Sequence, residues 1–217
     1  VIWSKVENVK NAKLVQHNVV REMLEYFKIK NGVEIHYQGD LPARSGMASS
    51  SAFTVGLLNA LYAYKKKKIS KKNLSLKAIH VEQNILKEHV GSQDQVIVSH
   101  GGMNIINFNT NGKFTISKLN ISKQKLKKLN KKFMLFFTGV TRISPEIIKT
   151  YKIKKLHHQL NETMDITRNA INILKSHKSL DEIGLLMNKA WSIKKTFSPK
   201  VSNSDIDDLY NLGIKSG

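Results

Sequence analysis

The stretch Gly39–Asn59, GDLPARSGMASSSAFTVGLLN, decides how the rest of this chain is read. It opens with the turn-forming run Gly39-Asp40-Leu41-Pro42, reaches Gly46, passes Ser49, Ser50 and Ser51, and turns apolar from Ala52. Upstream, Val33–Tyr37 alternates like a strand. Downstream, Phe53, Val55, Leu57, Leu58 and Leu61 read as a buried helix. The order is therefore strand, loop, helix N-terminus. Such a terminus suits anions, because the first-turn N–H groups lack intrahelical partners and the helix dipole is positive there. A triphosphate is the obvious candidate. The same residues also read as a serine N-cap after an ordinary loop. A Walker A site is excluded, since no lysine follows Gly46 until Lys65.

Composition narrows the class. The 217 residues are 41% hydrophobic and can bury a sizeable core, as one domain or two small ones. No apolar run approaches the ~20 residues of a membrane helix, and no signal peptide is evident. There are no cysteines, so disulfides and thiolate metal sites are excluded. These features fit a cytoplasmic enzyme. The net charge of +20 first suggests nucleic acid. Yet only Arg21, Arg44, Arg142 and Arg168 among the 36 basic residues are arginines, the usual readers of bases and phosphates. The lysines are spread among many Ile and Asn, as in the products of AT-rich genes. A solvated lysine surface is the expectation, with no specific nucleic-acid partner and no membrane; non-specific attraction to polyanions follows from the charge.

Pro42-Ala43-Arg44-Ser45-Gly46-Met47-Ala48-Ser49-Ser50-Ser51 resembles the central motif of the GHMP kinases, Pro-x-x-x-Gly-x-Gly-Ser-Ser-Ala/Ser. The surrounding residues are most similar to the D-glycero-D-manno-heptose 7-phosphate kinase branch. A second family segment matches at Glu82 and Val90–Gln95, VGSQDQ. The resemblance covers nearly the whole chain. It implies an ATP-dependent kinase using Mg²⁺, with a sugar or sugar phosphate as acceptor. Gly46, Met47, Ala48, Ser49, Ser50 and Ser51 would surround the ATP phosphates. Ser50 and Glu82 would hold Mg²⁺, which prefers hard oxygen ligands. Asp94 would take the proton of the attacking hydroxyl or orient it. Thr138-Gly139-Val140-Thr141-Arg142 resembles a sugar-kinase segment, which makes Thr141 and Arg142 substrate contacts, with Arg44 a third. Each residue also has a structural reading: Glu82 as a solvated helix glutamate, Asp94 as a helix cap, the arginines as surface residues.

The fold the resemblance implies is α+β, in two parts. Residues 1–138 would be an N-terminal mixed sheet with helices, and 139–217 a helix-rich C-terminal domain. Glycine-rich family segments are expected on both sides, so the chain reads as an internal piece of a longer kinase, incomplete at both ends. One departure lies inside the motif: Ala48 stands where the family has its second glycine. A methyl group there is harmless at negative φ and costly at positive φ.

In chain order, Val1–Val6 is predicted as a strand and Ala12–Phe27 as an amphipathic helix. Further helices are predicted at Ser50–Tyr64, Ser75–His89, Gln95–Ser99, Ile153–Ser176, Leu180–Lys195 and Asp205–Lys215, the last capped by Ser204. Met103–Asn109 and Lys113–Leu119 form a predicted hairpin. Ser122–Asn130 reads as helix or loop, and Phe133–Phe137 as a central strand. The histidines show no metal spacing. Two functions fit this reading. One is a sugar kinase, acting on a heptose 7-phosphate or on a fucose- or galactose-type acceptor. The other is a non-catalytic kinase remnant or basic polyanion-binding module.

Overall fold

The computed structural model describes residues 1–2, 5–30, 32–40, 46–139 and 144–216, with side chains omitted at 144 and 145. Arg44, Thr141 and Arg142 lie outside the described residues. Two compact units emerge: residues 1–102 with 141–145, and 103–140 with 146–217. The unit division at Gly102 precedes the family boundary expected after residue 138.

The first unit is built on helices α1 (Asn18–Tyr26), α2 (Ser49–Tyr64), α3 (Lys71–His80) and α4 (Gln93–His100). Its core joins Val20 and Met23 of α1, Val55, Leu58 and Leu61 of α2, and Leu74 and Ala78 of α3. Each large apolar side chain buried in this way contributes roughly 1.5–3 kcal/mol. Helix α1 starts six residues later than the periodicity predicts. Ala12–Leu14 is instead a 3₁₀ turn, closed by the Lys13 N–H donating to Asn11 Oδ1 at 3.0 Å. The Glu7 carboxylate then accepts the N–H groups of Gln16 and His17 ahead of α1. Helix α2 ends as predicted, with Lys66 in the left-handed region and the Lys67 N–H donating to Tyr62 O at 2.9 Å.

Two predicted strands are not ladders here. The Ile2 N–H donates to Ile35 O and the Tyr37 N–H to Ile2 O, both at 2.8 Å. Among the described residues these give single bridges, Ile2 with His36 and Ile2 with Val6. Alternation alone does not make a strand, and among the described residues these segments meet one residue of partner backbone. The expected mixed sheet is therefore absent from the described residues.

Helix α3 begins earlier than expected, at Lys71, because Ser70 caps it; the Asn73 N–H donates to Ser70 Oγ at 3.2 Å. It runs into a π-helical turn at Val81–Ile85, where the Leu86 N–H reaches back five residues to Val81 O at 2.8 Å. Helix α4 also starts early. Ser92 occupies its cap position, so Asp94 sits in the first turn and is not the cap.

The second unit holds the hairpin β1 (Asn104–Phe108) and β2 (Phe114–Lys118), antiparallel with Asn104 opposite Lys118 and Phe108 opposite Phe114. It continues with α5 (Lys123–Lys132), α6 (Ser144–Ile148), α7 (His157–Lys175), α8 (Asp181–Lys195) and α9 (Ser204–Lys215). Leu129 of α5 packs with Ile173, Leu180 and Ile183. Lys125 Nζ donates to Ile173 O at 2.6 Å and to Ser176 O, placing a cation on carbonyls at the C-terminal end of α7. Asn203, not Ser204, caps α9, accepting the Ile206 N–H at 2.9 Å. Ile153–Lys155 is a 3₁₀ turn that separates α7 from the residues before it. Phe133–Phe137 is a correction: no ladder among the described residues includes it, and its side chains are 46% to 80% exposed. With these helices and the hairpin, the architecture is α+β and helix-rich, as expected from the sequence.

Candidate functional site

The loop before α2 makes two left-handed turns. Gly46 has φ +77° and Ala48 has φ +56°, ψ +23°. No described residue crowds the space beside Gly46, and its positive φ alone calls for glycine there. Ala48 is the cap residue of α2 and supplies no side-chain cap. The first intrahelical bond runs from Ala52 N to Ala48 O at 2.8 Å. The N–H groups of Ser49, Ser50 and Ser51 precede it, which is the arrangement that receives anions. Met47 and Ser50 are exposed, Ser49 is half-buried, and Ser51 is buried. Alongside lies a cavity of about 920 Å³, walled by residues including Tyr37, Met47, Ser49, Phe53 and Tyr64.

Beneath the loop sits a buried polar cluster. Glu82, on the π-helical turn, is 1% exposed. Its Oε2 accepts the Ser51 hydroxyl at 3.1 Å and the Gln95 amide N–H. Its Oε1 has no hydrogen-bond partner among the described residues. Burial pushes the Glu82 carboxyl above the usual glutamate range; the Gln95, Ser51 and, least, Thr54 side chains oppose that rise. Glu88 nearby is likewise raised by burial, and its charge adds to the rise at Glu82. π-helical turns occur often at functional sites.

Helix α4 carries Asp94 and Gln95 on adjoining faces. Gln95 is buried against Glu82, while Asp94 is exposed. The Gln83 amide fixes the connection into α4, donating to Val90 O at 2.9 Å and Ser92 Oγ at 3.2 Å. The structure thus links the helix after the loop, the Glu82 turn and the Asp94 helix within one unit. It does not hydrogen-bond Ser50 to Glu82; the serine that meets Glu82 is Ser51. Gln95 was not singled out from the sequence. Its signal was weak, because a glutamine beside a carboxylate in a first helical turn ordinarily faces water.

No cluster of three or more His, Asp or Glu side chains suited to a metal occurs among the described residues. Mg²⁺ does not need one, since it is commonly held by one or two carboxylates with waters and substrate phosphates. The unpaired Glu82 Oε1 and the exposed Ser50 hydroxyl are both hard oxygen donors, so the residue types fit that ion. No helix among the described residues is long and apolar enough to cross a membrane.

Comparison with known proteins finds relatives of these elements. The GHMP kinases N terminal domain matches residues 13–102, which include the loop, Glu82 and Asp94. The chain is 26% identical over 208 residues to a D-glycero-alpha-D-manno-heptose 7-phosphate kinase of Campylobacter jejuni, covering 94% of this chain and 60% of the relative. It is 23% identical over 215 residues to a bifunctional fucokinase/GDP-fucose pyrophosphorylase of Arabidopsis thaliana, covering 94% of this chain and 20% of that protein. The crystal structure of a D-glycero-D-manno-heptose 1-phosphate kinase from Bacteroides thetaiotaomicron shares the fold with a TM-score of 0.67 at 19% identity, over 86% of this chain and 58% of that one. The chain therefore spans less than two thirds of the length of these proteins. Over its residues 13–102, the chain is similar to the N-terminal domain of the GHMP kinases.

Proposed function

We propose that the protein carrying this chain is an ATP-dependent sugar kinase that transfers the γ-phosphoryl group to the anomeric hydroxyl of a heptose 7-phosphate. The observation that carries this reading is one atom, Glu82 Oε2, bonded both to the helix after the loop through Ser51 and to the Asp94 helix through Gln95. Phosphoryl transfer depends mainly on positioning and on neutralising charge. In this reading the N–H groups of Ser49–Ser51 and the Gly46–Ala48 turns cradle the ATP phosphates. Ser50 and Glu82 hold Mg²⁺, which when bound neutralises phosphate charge. Asp94, exposed in the first turn of α4, accepts or orients the proton of the acceptor hydroxyl. Arg44, Thr141 and Arg142 contact the sugar phosphate. The names of the Campylobacter and Bacteroides proteins support the heptose acceptor.

The test is ADP release by the protein that carries this chain, with heptose 7-phosphate, fucose and galactose as acceptors. The heptose phosphate is expected to be turned over with the highest kcat/KM. Asp94→Asn should lower kcat by about 10²–10⁴-fold and leave nucleotide affinity unchanged. Equal loss of turnover and of nucleotide binding would overturn the role of Asp94. Faster turnover of fucose would favour a second acceptor, which the Arabidopsis relative supports. Ala48 at φ +56° favours the non-catalytic reading, in which the loop no longer admits a triphosphate. That reading requires no ADP release with any acceptor and a polyanion affinity that falls steeply with salt.

A further inference from the structure

Glu82 is held unevenly. Ser51 and Gln95 both reach Oε2, while Oε1 accepts no hydrogen bond among the described residues and the buried Thr54 hydroxyl acts on the carboxyl as a weaker neighbour. The donors come from two different helices, 31 and 13 residues away in sequence, and both are buried. A carboxylate with two donors on one oxygen has a fixed rotamer and an uncommitted second oxygen. The Gln95 amide is oriented only one way by this contact, because turning its oxygen toward the carboxylate would set two acceptors against each other. Its own Oε1 has no other partner among the described residues, so nothing else holds that side chain's amide.

We propose that Ser51 and Gln95 are positioning residues whose joint hold on Oε2 presents Oε1 of Glu82 as the ligand for the divalent cation of the nucleotide. This rests on the kinase reading above. Neither residue touches the ion. Gln95 also makes the position of Glu82 depend on α4, and so ties the ion's carboxylate to the helix that carries Asp94. A merely structural pair would fill the same space with no effect on the ion.

The experiment is calorimetric titration of ADP at increasing Mg²⁺ concentrations, without turnover. It uses the protein that carries this chain, with Gln95→Met, Ser51→Ala and each change repeated in a Glu82→Gln background. Gln95→Met is expected to raise the half-saturating Mg²⁺ concentration roughly 10- to 100-fold, the usual effect of losing a residue behind a metal ligand. ADP affinity without Mg²⁺ should not move. Ser51→Ala should shift the same midpoint in the same direction, which keeps the inference testable if Gln95→Met folds poorly. In the Glu82→Gln background neither change should have a further effect. Wild-type Mg²⁺ dependence in both variants, or an equal shift in both backgrounds, would overturn the positioning role alone. Mg²⁺-independent ADP binding by the unsubstituted protein would overturn the kinase reading, and the positioning role with it.

Discussion

Ala48→Gly is the most direct probe of the loop. Ala48 is held at φ +56°, ψ +23°, where an L-residue with a Cβ is disfavoured by roughly 1–2 kcal/mol. Glycine removes that cost. It also gives the unfolded chain more freedom, which returns about 0.4–1 kcal/mol of the gain. At a helix cap glycine is favoured over alanine by a further few tenths to ~1 kcal/mol, because alanine supplies no cap and covers the exposed N–H groups. The net expectation is a stabilisation of about 1 kcal/mol. If the first unit unfolds separately, a gain of that size raises its midpoint by roughly 4–8 °C; if the whole chain melts as one, by roughly 2–4 °C. Circular dichroism melts and urea titrations of the 217-residue chain, with and without the substitution, measure both. The urea midpoint should rise with no change in slope. An unchanged or lower midpoint would refute the strain argument, and with it the left-handed placement of Ala48.

Three other substitutions test separate contacts. Glu82→Gln should raise the urea midpoint at pH 8 relative to the unsubstituted chain. The folded carboxyl is raised by burial, so its contribution is fully present below the ordinary glutamate range and is lost as pH rises through the folded-state pKa. The neutral amide removes this slope, leaving that of Glu88; equal pH dependence in both proteins would contradict the burial. Glu7→Ala removes the acceptor for the Gln16 and His17 N–H groups and should destabilise by about 1–2 kcal/mol in urea titrations, with hydrogen exchange faster across α1. Lys125→Met keeps the aliphatic stem but withdraws the cation from Ile173 O and Ser176 O. A loss of about 1–2 kcal/mol is expected, and exchange at the end of α7 should report it.

Local chemistry made part of the structure legible. Helix α2 follows from an unbroken apolar run after small residues, and the hairpin from alternation around Asn111-Gly112. The early start of α3 was also open to reading, since Ser70 is a good cap. Phe133–Phe137 was not legible as an unpaired segment, because strand propensity describes a fit to neighbours and the partner is not encoded in the five residues themselves. The φ of Ala48 was invisible for a similar reason: the sequence names the residue but not the turn imposed on it. Glu82 could have been placed indoors. Ser75 and Ala78 of α3 and Glu82 of the turn that continues it fall three and four residues apart and are all buried. Its partner Gln95 carried no such periodic sign, since only packing between α3 and α4 brings the two together.

The open Phe133–Phe137 segment has a colloidal consequence. Five consecutive apolar residues that join no ladder among the described residues can template pairing between molecules. What opposes that pairing is the chain's charge of +20, which makes copies repel one another. Repulsion of this kind reaches about 30 Å at 0.01 M salt and about 3 Å at 1 M. The lysine-rich surface therefore acts as a solubiliser whose strength is set by the buffer. Dilute electrolyte keeps the molecules apart, and concentrated electrolyte lets the exposed phenylalanines find each other.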